Sequence, residues 1–402
     1  MRPKSILSIG KAVLALAWGL GAVAAPQAQA QTFSVIHNFT GGKDGANPLS
    51  GFLLAGGNLF GTASSGGSSG LGVVFWIKTT TGQETVLHEF TGGADGANPE
   101  GKLISFGGNL YGTTTAGGAH NAGTVYQITV KGAKETVLYS FTGKADGASP
   151  VAGLTLDKAG NLYGTTTAGG ANGNGAVFEL QVPTVAGGAW TEKVLYSFGT
   201  GTDGSDPVAG VTFDGSGNLY GTTSAGGTYT YGTVFQLTPS TPSWKETILH
   251  HFELQADGGV PYAGLTLSGK NLFGASTDGG AGGSSGGGTV FELTPISGGG
   301  WKFNVIYSLA GWGISGPFRN LLLSSGKIFG TTHCDGANDA GTVYELTNSG
   351  GVWSYKSLYV FTGSTDGLFL FSNLVSDTEG NLYGTTNGGG ANGYGVAFKV
   401  TP

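Results

Sequence analysis

The chain has 402 residues and a formal net charge of −6, yet only 10% of its residues are charged, well under the usual quarter. Eighty glycines make up about a fifth of it, nearly three times ordinary usage. So few cations speak against nucleic acid as a partner, since affinity for phosphate rests on clustered Lys and Arg. The single cysteine, Cys334, excludes an internal disulfide.

Residues 1–30 read as a secretory signal. Arg2, Lys4 and Lys11 give a basic start, and Ala12 to Ala25 is an apolar run too short for a comfortable membrane span. Ala28-Gln29-Ala30 offers a small-x-small cleavage site before Gln31. No cysteine adjoins the cut and no second apolar stretch of spanning length follows, so neither a lipoprotein nor an integral membrane segment is expected. Cleavage leaves 15 Lys and Arg against 24 Asp and Glu, with Arg319 the one remaining arginine. The expectation is an exported protein, periplasmic or secreted, whose residues 31–402 form one monomeric domain.

Phe33 to Phe39 then reads as an apolar strand without the three that precede its counterparts later in the chain. From there Asn-Leu-Tyr/Phe-Gly recurs with its glycine at 61, 112, 164, 221, 274 and 384, and in a worn copy at Gly330. The spacing gives seven units of about 54 residues, a period that signals a solenoid, a propeller or an array.

The third unit shows the pattern best. Four short strands are predicted over 153–156, 161–165, 175–180 and 192–198, with Asp157-Lys158-Ala159-Gly160 and the glycine-rich 168–175 as turns. Thr-Val-Phe-Glu-Leu and Val-Leu-Tyr-Ser-Phe strings carry apolar groups on both faces, so each small sheet is expected to be covered on both sides. The glycine of Asn-Leu-Tyr-Gly is expected where another backbone approaches closely. Four-stranded sheets repeated radially form a β-propeller. A parallel β-helix has shorter repeats and no need of four reversing strands. The chain ends on Gly395 to Val400, a third strand with no fourth. The predicted fold is therefore an all-β, seven-bladed propeller whose last blade is completed by the N-terminal strand.

The Asn-Leu-Tyr-Gly-Thr-Thr, Gly-Gly-Ala-Asn-Gly-x-Gly, Thr-Val-Phe-Glu-Leu and Val-Leu-Tyr-Ser-Phe-Thr-Gly strings, over roughly 33–402, resemble the GloVer-type tandem repeat of exported "choice-of-anchor" bacterial proteins. That resemblance implies a surface or exported repeat protein of undefined activity, often with a C-terminal sorting tail. The sequence ends at Thr401-Pro402 without such a tail. The repeat is also similar to NHL-type propellers, an analogy of fold alone.

Signatures of chemistry are sparse. Asp44, Asp95, Asp146, Asp203, Asp257 and Asp366 precede the turn glycines and read as Asx-type turns, not as a calcium ring. His37, His88 and His250 stand where other units have Tyr139, Tyr196, Tyr307 and Tyr359, so they replace a packing aromatic. Glu179, Glu292 and Glu345 share one strand position and are not a catalytic pair. The Gly-x-Ser-x-Gly matches at 66–70 and within 282–287 are repeat loops without a nucleophile elbow. No metal or cofactor is expected.

Positions that depart from the repeat carry more information, and they gather in units four to seven. Tyr231 and Tyr394 appear in the second-to-third loops, Tyr262 and Phe318 follow the turn prolines with Phe371 in the equivalent place, and Trp312 replaces an Asp-Gly turn. His333 replaces a loop threonine. Two residues past the turn proline the units read Ser50, Gly101, Ala152, Ala209, Ala263, Arg319 and Ser372, so one arginine stands among six small residues. A guanidinium there is expected in the channel mouth, binding a carboxylate, sulfate or phosphate, or else paired with Asp335 or Asp366. The predicted ligand-binding set is Arg319, Trp312, Phe318, His333, Tyr231, Tyr262 and Tyr394, aimed at a glycan or a cell-surface component. A lyase acting on a polysaccharide would draw on Arg319, His333 and Tyr231. A passive structural repeat would use none of them.

Overall fold

The computed structural model describes residues 31–402 apart from 186, 200, 242, 284–285 and 310–314, so the expected signal and Trp312 lie outside the described residues. Seven four-stranded antiparallel sheets follow one another along the chain. Blade three consists of Thr155–Leu156, Leu162–Thr166, Ala176–Gln181 and Thr191–Ser197, within a residue or two of the expected strands. Blade seven takes Val375–Ser376, Leu382–Thr386 and Val396–Thr401 from the end of the sequence and Thr32–Asn38 from its start. Thr32 pairs with Thr401 and Asn38 with Val396, which closes the ring as the strand phase predicts. No described helix is long and apolar enough to cross a membrane.

Seven hydrophobic clusters hold the blades, each built from two neighbouring sheets. Phe141 and Tyr111 of blade two meet Leu154, Leu162 and Phe178 of blade three, for example, and Phe361 and Val343 of blade six meet Phe398 and Val400 of blade seven. Both faces of every sheet are covered, as the apolar strand pattern requires. A bulge at the same place in every fourth strand adds to that pattern. In blade three Val177 pairs with Tyr196 but Phe178 with Val194, leaving Leu195 as the extra residue.

The glycine of Asn-Leu-Tyr-Gly has a different role from the one expected. It makes room for a ring, not for a second backbone. Gly164 lies opposite Phe178, and a Cβ there would stand 2.7 Å from the ring. At Gly221 the distance to Phe235 would be 2.5 Å, and at Gly330 the hydroxyl of Tyr344 would be met at 2.4 Å. The glycine and the aromatic are a cross-strand pair, each shaped by the other.

The turn aspartates reach backward instead of ahead. Asp146 accepts the Thr142 N–H at 2.8 Å and the Tyr139 hydroxyl at 3.0 Å. His37 and His250 offer Nε2 to Asp44 and Asp257 at 3.3 and 2.9 Å, in the place of that tyrosine hydroxyl. The histidines therefore supply a polar tip to the turn as well as a packing ring. Glu179 accepts from the Tyr163 hydroxyl at 2.9 Å and Glu345 pairs with Lys327 at 3.0 Å, both structural contacts within a blade.

Candidate functional site: the axial channel mouth

Each innermost strand is entered through the residues after the turn proline. The small residues two past the proline let the blades converge, and the carbonyls of five of the six are tied to the preceding blade. Thr113, Thr165 and Thr222 donate their hydroxyls to the carbonyls of Ala152, Ala209 and Ala263 at 2.9 Å. Thr331 and Thr385 do the same to Ser372 and Ser50. Blade five has Ala275 in this column, so the tie to the entrance of blade six, where Arg319 stands, has no hydroxyl to make it.

A cavity of about 180 Å³ lies where the seven entrances meet, and residues of every blade line it. Among them are Ser50, Glu100, Ala152, Ala209, Tyr262 and Arg319. A second cavity of about 460 Å³ lies among the innermost strands of blades one, five, six and seven. Lys102, Asn320 and Asn373 line both and form the neck between them.

Arg319 reaches across the seam of the ring. Its Nε donates to the Phe371 carbonyl of blade seven at 3.0 Å, and its Nη2 to the Leu49 carbonyl of blade one at 3.3 Å. Neither Asp335 nor Asp366, the partners expected for a structural arginine, is used. Asp335 holds the Thr332 hydroxyl, while Asp366 takes the Thr362 N–H at 2.8 Å and the Tyr359 hydroxyl at 3.0 Å. Those carboxylates are committed to their own turns. Burial draws the guanidinium pKa down, against the field of Glu100. Burial likewise pushes the Glu100 carboxyl up, and Arg319 pulls it partly back. Lys102 is held below the ordinary ammonium range by burial alone, and among the described residues it has no hydrogen-bond or ion-pair partner.

Beside the arginine stands an aromatic group. Tyr262 stacks on Phe318 with ring centroids 4.9 Å apart, and Phe318 meets Phe371 edge-on at 5.0 Å. His333 packs against Phe318 and Phe371 at 4.9 and 4.1 Å. Its Nδ1 is buried without a hydrogen-bond partner, and burial pushes its pKa down to about 4, so the ring is neutral near pH 7. Arg319, Phe318, His333 and Tyr262 are thus brought together.

Tyr231 and Tyr394 have other neighbours. The Tyr231 carbonyl accepts the Val260 N–H at 2.8 Å, and its side chain packs on the cluster between blades four and five. The Tyr394 ring lies on the turn at Gly41, where a Cβ would meet it at 2.7 Å, and remains 44% exposed. The loop column that both occupy packs against the following turn: Leu71 meets Gly92 and Ala122 meets Gly143 in the same way.

Sequence reasoning missed Glu100, Lys102, Asn320 and Asn373. The signal lay in the columns flanking Arg319. One past the proline the units read Leu49, Glu100, Val151, Val208, Tyr262, Phe318 and Phe371; three past, Gly51, Lys102, Gly153, Gly210, Gly264, Asn320 and Asn373. The glycines of the second column pack on the neighbouring entrance: a Cβ at Gly153 would stand 2.7 Å from the Lys102 carbonyl.

Seven four-stranded blades around a channel, with the ring closed by the first strand, define a seven-bladed β-propeller. Its axial mouth carries charged and aromatic side chains that the repeat itself does not contain. The chain belongs to the Gloeobacter/Verrucomicrobia repeat family, whose model matches residues 15–213, 157–299 and 211–402. No curated protein matches its sequence. Among solved structures it is similar to a protein of Bacteroides uniformis provisionally assigned as a 6-phosphogluconolactonase. That match has a TM-score of 0.51 and 15% identity over 81% of this chain and 88% of the other. It is also similar to an ancestral GH74 enzyme, with a TM-score of 0.54 and 12% identity over 89% of this chain and 47% of that one. At these identities the likeness is one of fold.

Proposed function

We propose that the protein is an exported binding module that takes a glycan or a sugar-bearing surface component at the axial channel mouth. The observation that carries this reading is Tyr262, which lines one cavity with Arg319 and Glu100 and is backed by its stack on Phe318. Aromatic faces and convergent polar groups are what a sugar needs, since its rings are apolar on one side and its hydroxyls demand partners. The arrangement favours binding over lyase chemistry. A lyase needs a proton acceptor next to its cation, yet His333 is packed among phenylalanines and Tyr231 sits in a different cluster. Glycan-array screening of the protein from Gln31 onward should find ligands, and their binding should be lost in Tyr262→Ala. Silence against a broad polysaccharide panel would overturn the proposal. Export is tested separately by the N-terminal residue of the protein recovered outside the cytoplasm, expected to be Gln31.

A further inference from the structure

We infer that the ligand of the channel is a monoanionic sugar acid, a uronate or the uronate end of a glycan, whose carboxylate lies between Lys102 and Arg319. The inference rests on the glycan reading above and sharpens it to a charge and a size.

Three side chains of the acidic and basic types line the smaller cavity, Glu100, Lys102 and Arg319. In a protein with 24 acidic and 18 basic residues, this channel inverts the overall balance: two cations face one acid. Glu100 acts on Arg319 electrostatically, and among the described residues the ammonium of Lys102 has no ion-pair partner. An unpaired charge removed from bulk water is costly, and an anion of matching charge relieves that cost. One carboxylate brings the three groups to neutrality. A phosphate dianion would overshoot and repel Glu100.

The donors also suit a two-oxygen group. Arg319 spends two of its five N–H donors on the carbonyls of Phe371 and Leu49, leaving the others for the cavity it lines. Asn320 uses its side-chain oxygen on the Gly264 N–H at 3.0 Å, so its amide NH₂ remains a donor at the neck. The volume of about 180 Å³ lies below the range of sites for drug-sized ligands and accommodates a single ring, with Tyr262 on its wall. A monosaccharide or a chain end fits this volume.

Titration calorimetry on the protein from Gln31 onward tests this with glucuronate, galacturonate, glucose, glucose 6-phosphate and acetate. A uronate should bind, at least tenfold more tightly than glucose, glucose 6-phosphate or acetate, and more weakly as salt rises. Lys102→Gln should lower uronate affinity at least tenfold without lowering the melting temperature. Glu100→Gln should raise it, because an internal competitor for the cations is removed. Equal binding of glucose and glucuronate would overturn the inference and leave the glycan reading standing, as would uronate silence with binding of larger neutral glycans. Acetate as tight as the uronates would reveal an ion site without sugar recognition and also overturn it. So would a Lys102→Gln variant that melts earlier yet binds normally. If no carbohydrate of any kind bound, both readings would fall together.

Discussion

Replacing Arg319 with alanine should destabilise the ring, and more at pH 7 than at pH 4. The side chain ties the entrance of blade six to those of blades seven and one through two carbonyl hydrogen bonds. Bonds from a charged donor contribute about 1.5–3 kcal/mol each. Water can enter the channel and satisfy both carbonyls, so the loss for the pair should be about half the sum of the two bonds, roughly 1.5–3 kcal/mol in total. With a urea m-value of about 3 kcal/mol/M the midpoint would drop by roughly 0.5–1 M. The pH dependence comes from Glu100, whose folded pKa is raised above its unfolded value by burial and drawn back by Arg319. A raised carboxyl favours the folded state at low pH and costs stability as pH climbs from the unfolded to the folded value. Without the guanidinium the folded value climbs further and the cost at neutral pH grows. At pH 4 the carboxyl is largely protonated in either state and the added cost largely vanishes. Equilibrium urea unfolding of the wild type, Arg319→Ala and Arg319→Ala/Glu100→Gln at the two pH values reads all of this. The double variant should regain stability at pH 7. An Arg319→Ala midpoint equal to wild type at both pH values would refute the staple, and an equal loss at both would refute the coupling to Glu100.

Three further outcomes are expected. Gly221→Ala should cost about 1–3 kcal/mol by overpacking, because its Cβ would meet the buried Phe235 ring at 2.5 Å, while Gly215→Ala, with open space around it, should be close to neutral in the same unfolding assay. His333→Phe should flatten the loss of stability between pH 6.5 and 4. The wild-type imidazole is held neutral in the fold down to about pH 4, whereas the unfolded chain binds a proton from about 6.5, so stability falls with pH across that window in a midpoint-versus-pH series. Deleting Phe33 to Phe39 removes most of the strand that completes blade seven, together with the buried Phe39 ring. Thermal scanning with light scattering should show a lower melting temperature and aggregation through the exposed edge, and an unchanged melting temperature would count against closure.

The ring was legible in the sequence because every unit carries the same punctuation, and the offset of strand phase at the two ends shows how it closes. The site was only partly so. Arg319 stood out because six small residues share its column. Glu100 and Lys102 were passed over in a unit that otherwise follows the repeat closely. Tyr231 and Tyr394 were chosen for departing from the pattern, but a departure along the sequence does not say whether a position faces the axis or the rim. The column they occupy meets the next turn. The Asn-Leu-Tyr-Gly glycine was read as a backbone contact because its partner, the aromatic of the third strand, lies some fourteen residues away in the chain, as Gly164 does from Phe178.

The pairing of Thr32–Asn38 with Val396–Thr401 also imposes an order of events. The first strand to be made can find its partner only once the last has been made, and until then blade seven lacks a strand. During that interval the N-terminal segment is a mobile strand with an apolar face, and any seventh blade will accept it, its own or that of another copy. At low concentration the local end wins. In a crowded compartment two chains can exchange these segments, each sealing the other's ring with the same register, to give a dimer that needs no surface beyond the one already used. Slow refolding at high protein concentration should therefore yield a fraction of dimer that persists on dilution, since its release requires reopening a blade.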